Sequence, residues 1–167
     1  VLPGGQSFNR VAGDTRVDTA FEIAKQAKAD SVATTKIYIV NSKSNVDAAT
    51  SGMLTDGVVL LAPADEAGQL KLGLRIKNEL QPTSVSKLVA IGGTSVVPDS
   101  VMSNIKSTSG LSIGTRLGGA TRYDTNLAIA KSAFATPGSV TNKYIVSGTS
   151  IVDAITSGAI KNGPVLM

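Results

Sequence analysis

Cysteine, histidine and tryptophan are all absent from the 167-residue sequence, and aromatic residues make up only 4% of it. Without cysteine there are no disulfides, thiolate metal sites or cysteine nucleophiles in this chain. Without histidine there is no Ser-His-Asp triad, no histidine-based zinc site and no imidazole acid-base catalysis. The core must therefore be built from Val, Ile, Leu and Ala, residues that suit closely packed helix-on-sheet layers. The longest apolar run, Val58 to Pro63, is far too short to span a membrane. Val1 to Gly5 has neither the basic nor the apolar region of a signal peptide. Starting without Met and stopping in mid-repeat, the sequence reads as a fragment of a longer protein. The formal charge of +4 favours anionic partners in general. Nucleic acid is not expected, because the sequence has no Lys/Arg run and no basic stripe with interleaved aromatics.

What the chain does contain is a repeat. Arg10, Gly13, Arg16, Asp18 and Thr19 recur as Arg116, Gly119, Arg122, Asp124 and Thr125, each residue n at n + 106. The same offset carries Ile23-Ala24-Lys25 onto Ile129-Ala130-Lys131 and Tyr38-Ile39-Val40 onto Tyr144-Ile145-Val146. It also carries Val46-Asp47-Ala48 onto Val152-Asp153-Ala154 and Gly57 onto Gly163, with no gap anywhere. Registration this long identifies a tandem repeat. Residues 1–106 form a complete copy, and 107–167 form a second copy that stops at Met167, opposite Leu61.

In chain order, a helix is predicted over 20–29 with Asp18 or Thr19 as its cap and Ala20, Ile23, Ala24 and Ala27 on one face. Ile37–Val40 is a short buried strand, followed by a polar turn and a helix over 46–54 that starts with Asp47. Val58–Leu61 is a second strand. A longer helix over 66–80 is expected to turn Leu70, Leu74 and Ile76 inward. Leu88–Ile91 is a third strand, closed by Gly92-Gly93, and Pro98 fits the first position of a helix running to Lys106. Ser107 to Gly114 reads as a link. Continuous apolar strands alternating with helices predict an α/β unit, a small parallel sheet with helices on both faces. Ligands of such sheets sit beyond the strand C-termini, here the loops 41–45, 92–97 and 147–151.

Taken together, Arg10–Ala24, Val46–Ala48, Gly57–Leu61 and the run Val89 to Thr94 followed by Val97 resemble the type 2 cell-wall-binding repeat of Gram-positive surface proteins. The resemblance covers essentially the whole chain. It implies Toprim-like units in tandem, usually three, on secreted proteins held noncovalently to anionic wall glycopolymers. It implies no catalysis and no cofactor. The pair of aspartates and the glutamate with which Toprim enzymes hold magnesium are missing, so the fold analogy carries no activity. The sequence departs from the pattern at Val17, where Tyr123 fits, and at Asn126, where Ala is usual.

Arg10, Arg16, Arg116 and Arg122 are the foremost candidates for polymer binding, because a guanidinium fork takes phosphate or carboxylate bidentately. The alternative role for one arginine of each pair is a salt bridge to Asp47 or Asp153. Those two aspartates, with Thr19 and Thr125, read as helix caps. Gly92, Gly93 and Thr94 could cradle an anion on backbone N–H groups or simply make a tight turn. Tyr123 could stack on a sugar. The leading reading is a non-catalytic module that anchors a secreted protein at the cell wall. The competing reading is a lattice-packing module acting by self-association. A truncated copy leaves apolar faces uncovered, so oligomerisation or further repeats are expected.

Overall fold

The computed structural model describes residues 9–32, 34–43, 46–80, 85–135, 140–149, 155, 160 and 162–167, with 46 and 47 described in backbone only. Helix α1 spans Arg16–Ala29, four residues earlier than its sequence suggested. The reason is its cap. Thr15 Oγ1 accepts from the Asp18 N–H at 3.2 Å and donates to the Asp18 carboxylate at 2.6 Å. Copy two repeats this at helix α5, Arg122–Ala133, where Thr121 and Asp124 close a full capping box. Thr19 and Thr125 are therefore not the caps. Each sits one turn inside, where its hydroxyl accepts from the N–H of Gly13 or Gly119 and ties the glycine turn to the helix.

Strands β1 (Lys36–Asn41), β2 (Gly57–Ala62), β3 (Lys87–Ala90) and β4 (Ser112–Ile113) form a parallel sheet in the order β2-β1-β3-β4. Between β1 and β2 lie helix α2 (Val46–Ala49) and a 3-10 turn, Thr50–Met53. Helix α3 (Glu66–Arg75) continues as a π turn, Ile76–Leu80, and α4 spans Asp99–Ser109 with Gly110 in the left-handed conformation after it. Pro98 is the cap of α4 rather than its first residue, with extended ψ.

Alternation along the strands makes two cores. Ile37, Ile39, Leu60, Leu88 and Ala90 face α1, α3 and α4. Tyr38, Val40, Val89 and Ile91 face the other way, onto Met53, Leu54 and residues of copy two. So the mixed helix and parallel-sheet architecture is as read, with helices on both faces, but the two faces are not covered evenly. All three long helices of copy one lie on one face of its sheet. The second face is covered by the short α2 and 3-10 turn together with α5, β5 (Tyr144–Ile145) and β6 (Val165–Leu166).

Two expected helix faces are also rotated. On α1 the buried residues are Phe21 and Ala24, while Ile23 is 55% exposed. On α3 they are Gln69, Leu72 and Gly73, with Ile76 following, whereas Leu74 is exposed. Gly73 sets that second rotation. It lies directly against the Ile105 carbonyl and Thr108 of α4, so α3 must turn its glycine, not Leu74, to its neighbour. Thr108 then donates to the Leu70 carbonyl at 2.8 Å.

Copy two is joined to copy one at both ends of this arrangement. Its opening segment adds β4 and the Ile91–Leu117 bridge to the first sheet. Its own strands pair Tyr144 with Val165 and Ile145 with Leu166, the partners that the offset predicts from Tyr38–Val59 and Ile39–Leu60. Asn126 explains itself here. It is buried, its amide donates to the Val165 carbonyl at 2.9 Å, and its oxygen accepts from the Met167 N–H at 3.1 Å. The side chain thus satisfies backbone groups in β6 and just after it, a task that Ala cannot perform.

A second recurring contact ties the start of each first strand to the residue before the second. Tyr38 donates to Asp56 at 2.6 Å, and Tyr144 donates to Asn162 at 2.9 Å. Burial and this bond push the Tyr38 hydroxyl well above the ordinary tyrosine range. Burial works against the Asp56 charge, but hydrogen bonds from Lys36 and Tyr38 outweigh it and hold its carboxyl below the ordinary value. With the folded pKa depressed, the stabilisation is present above the unfolded value of about 4 and is lost as pH falls through the folded one. Asp56→Asn copies the residue of copy two. It should fold with a smaller drop in stability between about pH 5 and about pH 2. Urea unfolding across that range checks this, and an unchanged drop would show that Asp56 is not an acid-sensitive group.

Candidate functional site

The order β2-β1-β3 reverses the direction of strand addition at β1, so the loops after β1 and β3 diverge at the C-terminal edge of the sheet. That edge is where α/β sheets form crevices. Two adjoining hollows lie there, of about 200 and about 320 Å³, meeting at Pro63 and Ala64. The smaller is bounded by Asn41 at the end of β1, by Lys43 after it and by Ser95–Pro98 after β3. Asn41 braces it, donating to the Val96 carbonyl at 2.6 Å and accepting from the Lys43 N–H at 2.7 Å. The larger runs between the start of α1 and α3, past Ser42, Asp65, Lys71 and Arg75.

Arg16 sits at the junction of α1 with this edge. Its guanidinium donates to the Ser42 carbonyl at 3.1 Å. Arg122 does the same to the Gly148 carbonyl at 3.0 Å, at the matching loop of copy two. Neither is paired with a carboxylate among the described residues, where each guanidinium makes this single contact. Asp153 lies outside the described residues, as does the Asp47 side chain, so the proposed bridges and caps at those aspartates fall outside them too. Tyr123, 49% exposed, lies against Gly148, where any Cβ would strike its ring. Tyr123 and Arg122 thus share one loop in copy two.

The other candidates occupy different places. Arg116 is committed to the contact between copies, donating to the Gly92 carbonyl at 2.9 Å and to Asp99 at 2.6 Å. Gly92 has φ 106°, a left-handed geometry that favours glycine, and its N–H donates to the Leu117 carbonyl at 2.8 Å. A Cβ on Gly118 would collide with the Gly92 carbonyl, and one on Gly93 would lie 3.0 Å from that of Gly119. The paired glycines let the two turns touch backbone to backbone. Thr94 is exposed beside them. Arg10 is exposed and has no hydrogen bond or ion pair among the described residues.

Arg75, which the sequence did not single out, is neutralised three times over, by Asp18 at 2.9 Å, Glu22 at 3.2 Å and Glu79 at 3.4 Å. Its guanidinium also lies 3.9 Å over the Phe21 ring. The Thr15 hydrogen bond, opposed by burial and aided by Arg75, lowers the Asp18 pKa. This network fixes α1 to α3 and leaves Lys43 and Lys71 as cations of the hollows without an ion pair among the described residues. The sequence signal for Lys43 was its loop; Lys71 had none. Among the described residues no three acidic side chains gather as a metal site, and no helix is long and apolar enough to cross a membrane.

Residues 10–102 and 116–167 match the family described as Cell wall binding domain 2, one match for each copy. The chain belongs to that family. This cell wall binding domain is 34% identical over 163 residues to the N-acetylmuramoyl-L-alanine amidase LytC of Bacillus subtilis (strain 168). That match takes in 96% of the chain and 31% of the amidase. Among solved structures it is similar to Cwp6 from Clostridium difficile, with TM-score 0.75 and 30% identity, over 94% of this chain and 24% of that one. Cwp8 from the same organism shares the fold, with TM-score 0.67 at 22% identity, over 95% of this chain and 26% of that one. The domain thus spans from 24% to 31% of the length of these relatives.

Proposed function

We propose that this domain is a non-catalytic anchor that holds a secreted protein noncovalently at the cell wall by binding an anionic wall glycopolymer. The observation that carries this reading is the repeated placement of Arg16 and Arg122. Each copy holds a guanidinium, without a carboxylate partner among the described residues, at the loop that follows its first strand. A polymer with a regularly spaced negative charge can engage both, and linked contacts raise the effective concentration of each. Lys43 and Lys71 extend the positive edge in copy one, and Tyr123 offers a ring face beside Arg122. The name of the amidase relative places its substrate in N-acetylmuramoyl-L-alanine, and a wall-directed role for the shared region agrees with that. The Toprim-like description of each unit belongs to the same proposal, supported by the parallel β2-β1-β3 order.

The test is retention of the domain on purified cell walls, before and after acid extraction of their secondary polymers, across a salt series. Binding should fall with extraction and with rising ionic strength, since exposed charge pairs are screened within about 8 Å at physiological salt. Binding that survives extraction would move the ligand to peptidoglycan. Absence of binding, with concentration-dependent self-association, would replace the proposal with a lattice-packing role.

A further inference from the structure

Asn162-Gly163 is the only Asn-Gly pair in the sequence, and at the same repeat position copy one has Asp56-Gly57. Packing fixes both glycines. A Cβ on Gly57 would strike the Lys36 carbonyl, and one on Gly163 would strike that of Asn142, the residue matching Lys36 in copy two. The residue in front of each glycine accepts a hydrogen bond from a tyrosine on the neighbouring strand. Tyr38 donates to Asp56 at 2.6 Å and Tyr144 to Asn162 at 2.9 Å. One arrangement of glycine turn and phenol thus holds a carboxylate in copy one and an amide in copy two.

We infer that Asn162 is a self-modification site, at which the main chain of Gly163 converts the amide into the acid that copy one already carries. The Gly163 nitrogen bonds to Asn162 Cγ and gives up its proton to solvent, and the side-chain amide leaves as ammonia, closing a cyclic imide. Water then opens the ring. Cleavage between Cγ and the Gly163 nitrogen leaves aspartate; cleavage at the main-chain carbonyl leaves isoaspartate. Water enters, ammonia leaves, and nothing is oxidised or reduced. Asn162 is exposed, so both can pass, and glycine puts no side chain beside the attacking nitrogen. The aspartate keeps its tyrosine partner, as Asp56 does. Isoaspartate adds an atom to the main chain just ahead of β6, where Tyr144 pairs with Val165 and Ile145 with Leu166, and that register is lost. Aspartate is therefore the product the fold retains. Asn41, which precedes Ser42, is held at both ends of its amide by Val96 and Lys43. Asn162 lies at the start of β6, away from the contact of Arg122 with Gly148, so the inference does not depend on wall binding.

The test is prolonged incubation of the folded domain at mildly alkaline pH, followed by ion exchange and peptide mass mapping. The wild type should accumulate one more acidic species, its formal charge of +4 lowered by one. The change should map to the peptide that holds Asn162, with the Asn41 and Asn142 amides intact. Asn162→Gln, one methylene longer and slow to close such a ring, should keep its charge over the same period. Asn162→Asp should fold, elute with the acidic species and melt within about 2 °C of the wild type at neutral pH. A folded wild type whose charge never changes would overturn the inference, and appearance of the acidic species only in urea would show that the fold protects the amide. An acidic species that persists in Asn162→Gln would overturn it too, as would an Asn162→Asp variant that does not fold.

Discussion

Alanine at both Arg16 and Arg122 should lower retention on purified cell walls by about a hundredfold at low salt, and either change alone by about tenfold. A charge-assisted hydrogen bond contributes about 1.5–3 kcal/mol, and each 1.4 kcal/mol is tenfold in affinity. The double variant should also show a flatter dependence on salt, since the charges that produce that dependence are gone. Each arginine also donates to a loop carbonyl, so part of the loss could come from a displaced loop. Two comparisons separate these causes. Arg16→Lys keeps the charge without the fork and should bind between wild type and alanine. Arg116→Ala removes an equally basic side chain that is held by Gly92 and Asp99 inside the structure. It should lower stability by about 1 kcal/mol, in the range of a partly exposed pair, and leave the affinity of the folded protein for walls nearly unchanged. If Arg116→Ala weakened wall binding as much as the double change, net charge and not the repeated loop geometry would be the determinant.

Gly73→Ala should destabilise the domain by about 2–3 kcal/mol, with a fall in melting temperature of about 5–10 °C for a chain of this size. Helix propensity alone gives the opposite sign, because alanine in a helix interior is favoured over glycine by about 1 kcal/mol. Packing decides otherwise. A Cβ at Gly73 would meet the Thr108 hydroxyl and the Ile105 carbonyl on α4, and the carbonyl is backbone that cannot rotate aside. The two helices would have to separate, opening the first core along Leu72, Ile76, Met102 and Ile105. Gly110→Ala provides the contrast. Nothing lies within 4 Å of a Cβ there, so only its φ of +77° is at stake. The cost is then the roughly 1 kcal/mol of a left-handed alanine. A Gly73→Ala variant that melts at or above the wild-type temperature would mean that α3 and α4 accommodate the methyl by sliding.

Much of the local structure was legible because it depends on near neighbours. β1, β2 and β3 stand within a residue of the apolar runs that announced them. The start of α1 was misjudged because two nearby threonines can both cap, and the one that does, Thr15, is chosen by the carboxylate of Asp18 three residues on. At the candidate site, the four arginines looked equivalent in the sequence. They are not, because Arg116 lies where two copies touch and Arg16 and Arg122 lie at open loops. No spacing rule distinguishes them.

The sequence by itself determined that the chain repeats at 106 residues, where the three strands of the first copy lie, and that thiol and imidazole chemistry are excluded. These follow from covalent order and from hydrogen-bond patterns that close over short distances. Only the tertiary structure decided which side of the first helix is core. Ile23 and Ile129 are each followed by Ala and Lys, Ala24-Lys25 and Ala130-Lys131, yet one is exposed and the other fully buried. Burial is a property of the surface that arrives from elsewhere in the chain. For Ile129 that surface is the Met53–Leu54 corner of the other copy, more than 70 residues away in sequence.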